Sequence, residues 1–243
     1  MLGFLKIFND KNRMSFYQLY SKLRKWKDSG TYPYAYELPE QITFPPDFWS
    51  EIIKLYKATR SDGFERAITV FWADGELIVS SVIRGNRRSV TPKSNVSVRY
   101  VRSKHEGYMT KEVYLNDKKY SSKDIYHKKV PKQIEVKYLF NMHTHPPHEM
   151  TDGSYVYSFF SAQDIRSLIR SGSVITGMIG DKFWLLVRTN KTPKEMGESI
   201  HDGQMNMEFL YRELHIEIYY GDFKSSLQRY APQTSDDQTT RRS

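Results

Sequence analysis

Asn141-Met142-His143-Thr144-His145-Pro146 is the most informative stretch of the chain, because it ends the strand predicted at residues 134–143 with two histidines. Side chains of a strand alternate between its two faces, so His143 and His145 point the same way and could bind one metal ion. Pro146 ends the strand directly after them and places both imidazoles at a sheet edge, where a cleft can form. Two polar residues at an exposed strand end would give the same pattern, so this stretch alone does not establish a metal site.

A second motif, Ser161-Ala162-Gln163-Asp164, predicts the start of a helix. A Ser at the N-cap with an acidic residue three positions later resembles a capping box, which is a sufficient structural explanation of both residues. The same geometry places the Asp164 carboxylate in the first helical turn. There it could be the third protein ligand of a zinc ion beside the two histidines, with water in the fourth position. Ser161 would then lie beside the metal, where its hydroxyl could stabilise a developing oxyanion.

Hydrolysis would also require a group that takes a proton from the attacking water, and a carboxylate usually does this. Glu65 is the candidate, because it opens the β-branched and aromatic strand predicted at residues 65–72. It could equally be an exposed residue of the turn at Asp62-Gly63. Glu76 is the competing carboxylate, but it follows the predicted hairpin turn Asp74-Gly75, where exposure to solvent is expected.

Together these motifs resemble the signature of the JAMM/MPN+ zinc metalloproteases: an early Glu at the start of a strand, then His-x-His-Pro, then Ser-x-x-Asp. The resemblance covers about residues 48–188. It implies that His143, His145 and Asp164 bind Zn²⁺, that Glu65 is the general base, and that Ser161 helps to stabilise the tetrahedral intermediate. It also implies an α/β fold in which a mixed β-sheet is flanked by helices, as in cytidine deaminases. The implied activity is hydrolysis of isopeptide or peptide bonds at the C-terminus of ubiquitin or a ubiquitin-like protein.

The sequence differs from the family pattern in two places. Residues 147–160 separate the two metal-binding motifs by more residues than the family usually has. We expect a long loop there, which could shape a substrate groove or act as a flap, and we expect its His148 and Asp152 to be ordinary loop residues. Ile68 and Trp72 stand where small residues commonly follow the Glu of the family.

The remaining patterns predict an α/β chain in four parts. Residues 1–45 are expected to form a helical extension and linker, and residues 46–190 the metalloprotease domain. Residues 191–230 are expected to form a C-terminal helical extension, because Thr192-Pro193-Lys194-Glu195 is a capping box with Pro at the first helical position. Residues 231–243 are polar and are expected to be disordered. The individual elements predicted are helices at 14–27, from 47 to 56, from 161 to 172 and from 192 to about 219, and strands at 65–72, 77–83, 96–101, 111–115, 134–143, 174–179 and 183–188.

Composition excludes several classes of protein. The chain has 243 residues, of which 39% are hydrophobic and 14% aromatic, enough to fill a core. It has no cysteine, which excludes disulfides, a thiol nucleophile and every Cys-ligated metal site. No apolar run approaches the roughly 18 residues of a transmembrane helix. The first eight residues are too short and too soon interrupted by charge for a secretory signal. We therefore expect a cytoplasmic protein without a membrane anchor.

The net charge of +9 is concentrated in one segment. Residues 93–137, the basic segment, contain twelve Lys or Arg and five Asp or Glu. Such a segment could attract an acidic partner, but it could equally be an ordinary solvated surface. Because it carries no nucleic-acid-binding motif, nucleic acid is not the expected partner.

The function expected from the sequence is that of a zinc isopeptidase acting on a ubiquitin-like protein or its conjugates. One alternative is a non-catalytic scaffold or binding module of the same fold, although such relatives typically lose their metal ligands. The other is a different zinc hydrolase of the same fold that acts on nucleotides or small amides. Motifs of other hydrolase classes, such as HExxH and Gly-x-Ser-x-Gly, are absent from the sequence.

Overall fold

The computed structural model describes residues 12–73, 76–102, 108–126 and 136–232. The predicted Asp74-Gly75 turn and most of the predicted disordered tail lie outside these residues. The four α-helices of the described residues are α1 (Phe16–Ser29), α2 (Pro46–Asp62), α3 (Ala162–Arg170) and α4 (Met207–Arg212). The strands up to the first metal-binding motif are β1 (Arg13–Ser15), β2 (Gln41–Thr43), β3 (Arg66–Ala73), β4 (Glu76–Val79), β5 (Ile83–Arg84), β6 (Val96–Arg102), β7 (Tyr108–Leu115), β8 (Lys118–Tyr126) and β9 (Val136–Thr144). The strands that follow are β10 (Pro147–Glu149), β11 (Tyr155–Tyr157), β12 (Ile175–Ile179), β13 (Phe183–Arg188), β14 (Ile216–Gly221) and β15 (Leu227–Arg229).

The chain forms two compact units, each assembled from segments that are distant in sequence. The unit that contains both predicted ligand histidines, His143 and His145, comprises described residues between 46 and 159 together with 175–181, and we call it the histidine unit. The unit that contains Asp164 comprises described residues 12–45, 160–174 and 182–232, and we call it the aspartate unit.

The histidine unit is built on a mixed sheet with the strand order β12-β9-β3-β4. Strand β12 runs parallel to β9, whereas β3 is antiparallel to its partners β9, β4 and β5. Residues 65–71 are buried throughout, as expected for a β-branched and aromatic strand in the middle of a sheet. Helix α2 buries an apolar stripe that includes Phe48, Ile52 and Leu55.

Strands β6, β7 and β8 form a separate antiparallel sheet of the histidine unit. Asn116 and Asp117 join β7 to β8 with φ angles of 46° and 69°. Two consecutive residues in the left-handed region are typical of the tight turns that match the twist of a hairpin, and Asn and Asp tolerate this conformation best after Gly. The strands predicted at 96–101 and 111–115 are therefore confirmed, and a third strand that was not predicted completes the sheet.

The segment predicted as a long loop between the two metal-binding motifs contains a β-hairpin, in which β10 pairs with β11. The turn is closed by hydrogen bonds from the Met150 N–H to the Ser154 carbonyl (2.8 Å) and from the Ser154 N–H to the Asp152 carboxylate (2.9 Å). Gly153 has a φ of 79°, which a residue with a side chain rarely adopts. The prediction of a loop was wrong because each strand is three residues long, too short to show an alternating pattern.

The aspartate unit contains a second mixed arrangement of strands in the order β1-β2-β15-β14-β13. Strand β1 runs parallel to β2, and the other neighbours are antiparallel. Helix α1 buries the predicted apolar residues at helical spacing, among them Phe16, Leu19 and Leu23. Helix α3 also forms as predicted, and Gly172, with a φ of 65°, lies just beyond its end.

The helical region predicted from residue 192 to about 219 is wrong for most of its length. The Thr192 hydroxyl accepts a hydrogen bond from the Thr189 N–H (2.9 Å) and donates one to the His215 carbonyl (3.0 Å), so it does not cap a helix. Helix α4 is short, and His215 follows it with a φ of 50°, which stops helical propagation. Residues 216–219 are buried in β14, where packing outweighs the local helix signals.

Both units combine helices with mixed sheets, which confirms the predicted α/β class with a mixed sheet flanked by helices. Among the described helices, none is both long and apolar enough to cross a bilayer.

Candidate metal centre

The structure brings together the three predicted metal ligands. His143, His145 and Asp164 each offer one ligand atom, and these atoms all lie within 4.8 Å of one another. The two Nε2 atoms of the histidines are 2.8 Å apart. Both imidazoles are only 8% exposed, so they are not polar residues at an exposed strand end. Buried imidazoles that converge on a carboxylate are the arrangement expected of a metal site.

Strand β9 positions the two histidines by pairing on both of its sides. His143 lies opposite Ala67 of β3 and opposite Met178 of β12. Beyond the end of β9 the pairing continues for one more residue, because the His145 N–H donates to the Ile179 carbonyl (2.9 Å). The two-residue period of the strand then directs both imidazoles to the same face, as predicted.

The second ring nitrogen of His145 has its own partner. Its Nδ1 atom lies 2.9 Å from the backbone carbonyl of Ser158, which can only accept a hydrogen bond. Nδ1 is therefore the donor of this hydrogen bond, and in the neutral imidazole Nε2, which lies 2.8 Å from His143 Nε2, is the acceptor nitrogen. A carbonyl behind a histidine is the usual way in which a protein fixes the tautomer and orientation of a metal ligand.

Asp164, which offers one of the three candidate ligand atoms, also belongs to the capping box of helix α3, whose N-cap is Ser161. Its Oδ2 atom accepts hydrogen bonds from the N–H and the hydroxyl of Ser161, each at 2.8 Å. The Asp164 N–H in turn donates to the Ser161 hydroxyl oxygen at 3.1 Å, which completes the predicted capping box. The Ala162 N–H donates to a second carboxylate, that of Asp202, at 2.7 Å. Asp202 was not predicted, because its role depends on a contact between residues forty positions apart.

Glu65 is buried rather than exposed in a turn, with 7% of its surface accessible. Its N–H donates to the Asn86 carbonyl (2.8 Å), and its carbonyl accepts from the Gly85 N–H (2.9 Å). It lies two residues before Ala67, which faces His143 across the sheet. By the alternation of the strand, Glu65 belongs to the face of the sheet that carries the metal-site histidines.

Thr144, between the two histidines, connects three elements of the histidine unit. Its hydroxyl oxygen accepts a hydrogen bond from the Arg66 N–H at 2.9 Å and lies 2.7 Å from the hydroxyl of Thr59 on α2. The Arg66 guanidinium binds the Asp62 carboxylate at 2.6 and 2.8 Å. Hydrogen bonding from Arg66 holds the pKa of Asp62 well below its usual range, and the Phe64 N–H contributes in the same direction. Sequence patterns did not identify this network.

Other predicted features are placed as follows. Glu76 begins β4, and its side chain lies outside what the structure describes. His148 and Asp152 belong to the hairpin and are exposed. In the described part of the basic segment, the Lys119 ammonium and the Tyr114 hydroxyl both bind the Glu112 carboxylate.

Comparisons with protein-family models, with curated proteins and with solved structures find no match. The chemistry of the site must therefore be argued from its own residues. Two neutral imidazole nitrogens and one carboxylate oxygen are a ligand set that Zn²⁺ takes in catalytic sites, where a fourth position stays open. Tetrahedral ligands about 2.0–2.1 Å from one ion are about 3.3–3.5 Å apart. The two histidine Nε2 atoms, which lie 2.8 Å apart, would therefore have to separate by about half an ångström to hold zinc.

Proposed function

We propose that this chain is a zinc-dependent peptidase or isopeptidase of the JAMM/MPN+ type. Its substrate is the bond that follows the C-terminus of ubiquitin or a ubiquitin-like protein, and it acts in the cytoplasm. The observation that carries the proposal is the convergence of His143, His145 and Asp164 from two distant motifs onto one small volume. The proposed fold is that of the cytidine-deaminase-like metalloproteases, for which the mixed α/β architecture is a necessary condition.

The proposed roles follow from the chemistry of each residue. A zinc ion held by the three ligands would polarise the scissile carbonyl and lower the pKa of water. Glu65 takes the proton from the attacking water and passes it to the leaving amine, which a buried carboxylate on the histidine-bearing face is suited to do.

Ser161 donates to the oxyanion that develops on the substrate. Its single hydroxyl proton is now directed at Asp164 Oδ2, so the hydroxyl must rotate during the reaction. The Asp164 N–H still donates to the Ser161 oxygen after this rotation, which keeps the hydroxyl in place.

The complete ligand set supports an enzyme over a non-catalytic scaffold, since a scaffold has no use for two buried imidazoles and a carboxylate around one point. The buried position of Glu65 supports the same choice, because an ionisable group under 10% exposed needs a functional or electrostatic reason to be there.

The test combines metal analysis with cleavage of a ubiquitin fusion that carries a C-terminal reporter peptide. We expect one zinc per chain, and we expect His145→Ala and Asp164→Asn to lose most of it while Asp164→Asn keeps its fold. Glu65→Gln should retain zinc but lose kcat by about 10²–10⁴, because a general base does not hold the metal. Glu76→Gln is the matched control and should resemble the wild type.

Different outcomes contradict different parts of the proposal. Full zinc in His145→Ala would overturn the ligand assignment. An inactive Glu76→Gln beside an active Glu65→Gln would show that the wrong carboxylate was chosen as general base. A zinc-loaded wild type that leaves every ubiquitin-like fusion intact would contradict the substrate class.

A further inference from the structure

Tyr157 connects the hairpin β10–β11 to helix α2 of the histidine unit. The Tyr157 hydroxyl lies 2.9 Å from the hydroxyl of Tyr56 on helix α2. The Tyr157 side chain also packs on Gly180, where an added Cβ would lie 3.5 Å from the Tyr157 Cβ and Cδ1 atoms. Tyr157 is partly buried, whereas residues 148–154 and Val156 of the hairpin are exposed.

The hydroxyl pair can form over the whole physiological pH range. Burial, together with the hydrogen bond to Tyr56, raises the pKa of Tyr157 to about 12, so the hydroxyl keeps its proton. Either hydroxyl can be the donor of the pair, and each retains a lone pair for the other.

The residue directly after Tyr157 touches the metal centre. Ser158 supplies the backbone carbonyl that accepts a hydrogen bond from the His145 Nδ1–H. The Ser158 residue that carries this carbonyl is exposed, so it is not fixed by burial. Its position is therefore fixed through the chain on either side, and on the hairpin side the nearest anchor is the Tyr157 hydroxyl and ring.

We propose that Tyr56 and Tyr157 are positioning residues of the metal centre. Their hydroxyl pair keeps the hairpin against α2, so that the Ser158 carbonyl remains on His145 Nδ1 and the lone pair of His145 Nε2 remains directed at the metal. The inference rests on the metal site of the proposed function but not on the reaction. Because binding linkage is reciprocal, docking of the hairpin strengthens metal binding and metal binding strengthens docking of the hairpin.

The first experiment measures zinc affinity by competition with a chelating dye in Tyr56→Phe, Tyr157→Phe and the double variant. Removal of a group that hydrogen-bonds to a metal ligand typically weakens metal binding about 10–100-fold. The tyrosine pair does not contact His145 itself but acts through the Ser158 carbonyl, so its effect should be smaller. We therefore expect each single variant to bind zinc about 3–10-fold more weakly. The double variant should be no weaker than either single variant, since all three remove the same hydrogen bond. Tyr36→Phe is the control, because Tyr36 is 81% exposed and should leave the affinity unchanged.

A spectroscopic measurement separates positioning from general destabilisation. In long-range ¹H–¹⁵N spectra of the zinc-loaded wild type, His145 should show the tautomer protonated at Nδ1 with a proton that exchanges slowly. In Tyr56→Phe this proton should exchange faster, while thermal unfolding of the metal-free chain changes little. Tyr56→Phe leaves the aromatic packing in place. If the tyrosine pair were merely structural, its loss would lower overall stability, whereas a positioning role predicts a change confined to His145.

Hydrogen exchange of the wild type keeps the proposal testable if the variants do not fold. Zinc should slow amide exchange across residues 147–157. Zinc affinities within twofold of the wild type in folded single variants, or unchanged exchange in this segment, would overturn the inference while leaving the metal site intact. A wild type that binds no zinc would overturn both this inference and the metal site of the proposed function. Zinc binding that depends on the tyrosine pair, in a chain that cleaves no ubiquitin-like fusion, would contradict the proposed function alone.

Discussion

Replacement of Thr144 by Val tests whether the residue between the two histidines holds the histidine unit together. Thr144 is 1% exposed, and its hydroxyl joins the Arg66 N–H and the Thr59 hydroxyl at 2.9 and 2.7 Å. Valine has nearly the same shape, so the substitution removes both hydrogen bonds with little change in packing volume. Serine is the matched control, because it keeps the hydroxyl and removes only the methyl group.

The expected cost of the substitution follows from the partners left behind. The Arg66 N–H loses its acceptor in a buried position, which costs about 1–3 kcal/mol. The Thr59 hydroxyl keeps its contact with the Arg66 guanidinium at 3.3 Å and loses one hydrogen bond, worth about 0.5–1.5 kcal/mol. The free energy of unfolding should therefore fall by about 1.5–4.5 kcal/mol in Thr144→Val. In Thr144→Ser it should fall by about 0.8–1.5 kcal/mol, the cost of one buried methyl group.

The measurement is urea unfolding of the metal-free chain in the presence of a chelator, so that differences in zinc binding do not enter the comparison. Thr59→Val is a useful companion, since it removes the bond to Thr144 and the longer contact with the Arg66 guanidinium. It leaves the Arg66 N–H bonded to Thr144 and should lie between the other variants. If Thr144→Val unfolds at the same urea concentration as Thr144→Ser, the hydroxyl of Thr144 contributes nothing and the argument for this network is wrong.

Two further predictions concern neighbouring groups. Ser161→Ala should lower kcat by about 10²–10³ because an oxyanion donor is lost. It should also lower the free energy of unfolding by about 0.5–2 kcal/mol because the helix cap is lost. Enzyme kinetics and thermal unfolding measure the two effects, and Ser161→Thr, which keeps the capping hydroxyl, should be as stable as the wild type. The carboxyl of Asp62 should stabilise the fold in a pH-dependent way. Its pKa is lowered in the folded state by Arg66, so the stability that it contributes is present above the unfolded pKa of about 3.9 and is lost as the pH falls through the lower folded value. The difference in unfolding temperature between the wild type and Asp62→Asn should accordingly be constant near neutral pH and shrink below about pH 4, and a difference that grows on acidification would contradict this assignment.

The parts of the site that could be predicted are those set by local geometry. The two-residue period of a strand places His143 and His145 on one face whatever the rest of the fold is, and a capping box fixes Asp164 in the first turn of its helix. Neither of these inferences needs a contact between distant residues. Burial of Glu65 was not decided by the sequence, which left a buried strand start and an exposed turn position equally open.

The parts that could not be predicted depend on distant partners. Thr59 meets Thr144 across 85 positions, and no pattern in either segment indicates the other. At Thr192 the local pattern was complete but misleading. Residues 192–195 have every feature of a capping box, yet contacts with distant residues prevent a helix from forming there. A hydroxyl that can cap a helix can also donate to a distant carbonyl, as Thr192 does to His215. The second arrangement is favoured here because residues 216–219 are buried in a strand directly after His215.

The hairpin β10–β11 gives residues 147–160, which separate the two predicted ligand motifs, a structural role. A histidine that binds a metal usually has a fixed acceptor behind it, and for the proposed ligand His145 that acceptor is the backbone carbonyl of Ser158. A loop of similar length without paired strands would leave the carbonyl free to move, because each unrestrained residue retains conformational entropy that binding would have to remove. Pairing β10 with β11 and fixing the end of β11 through Tyr157 removes that freedom before the metal binds. Under this proposal the hairpin and the candidate metal centre form one structural element, and substitutions in the hairpin should be judged by their effect on His145.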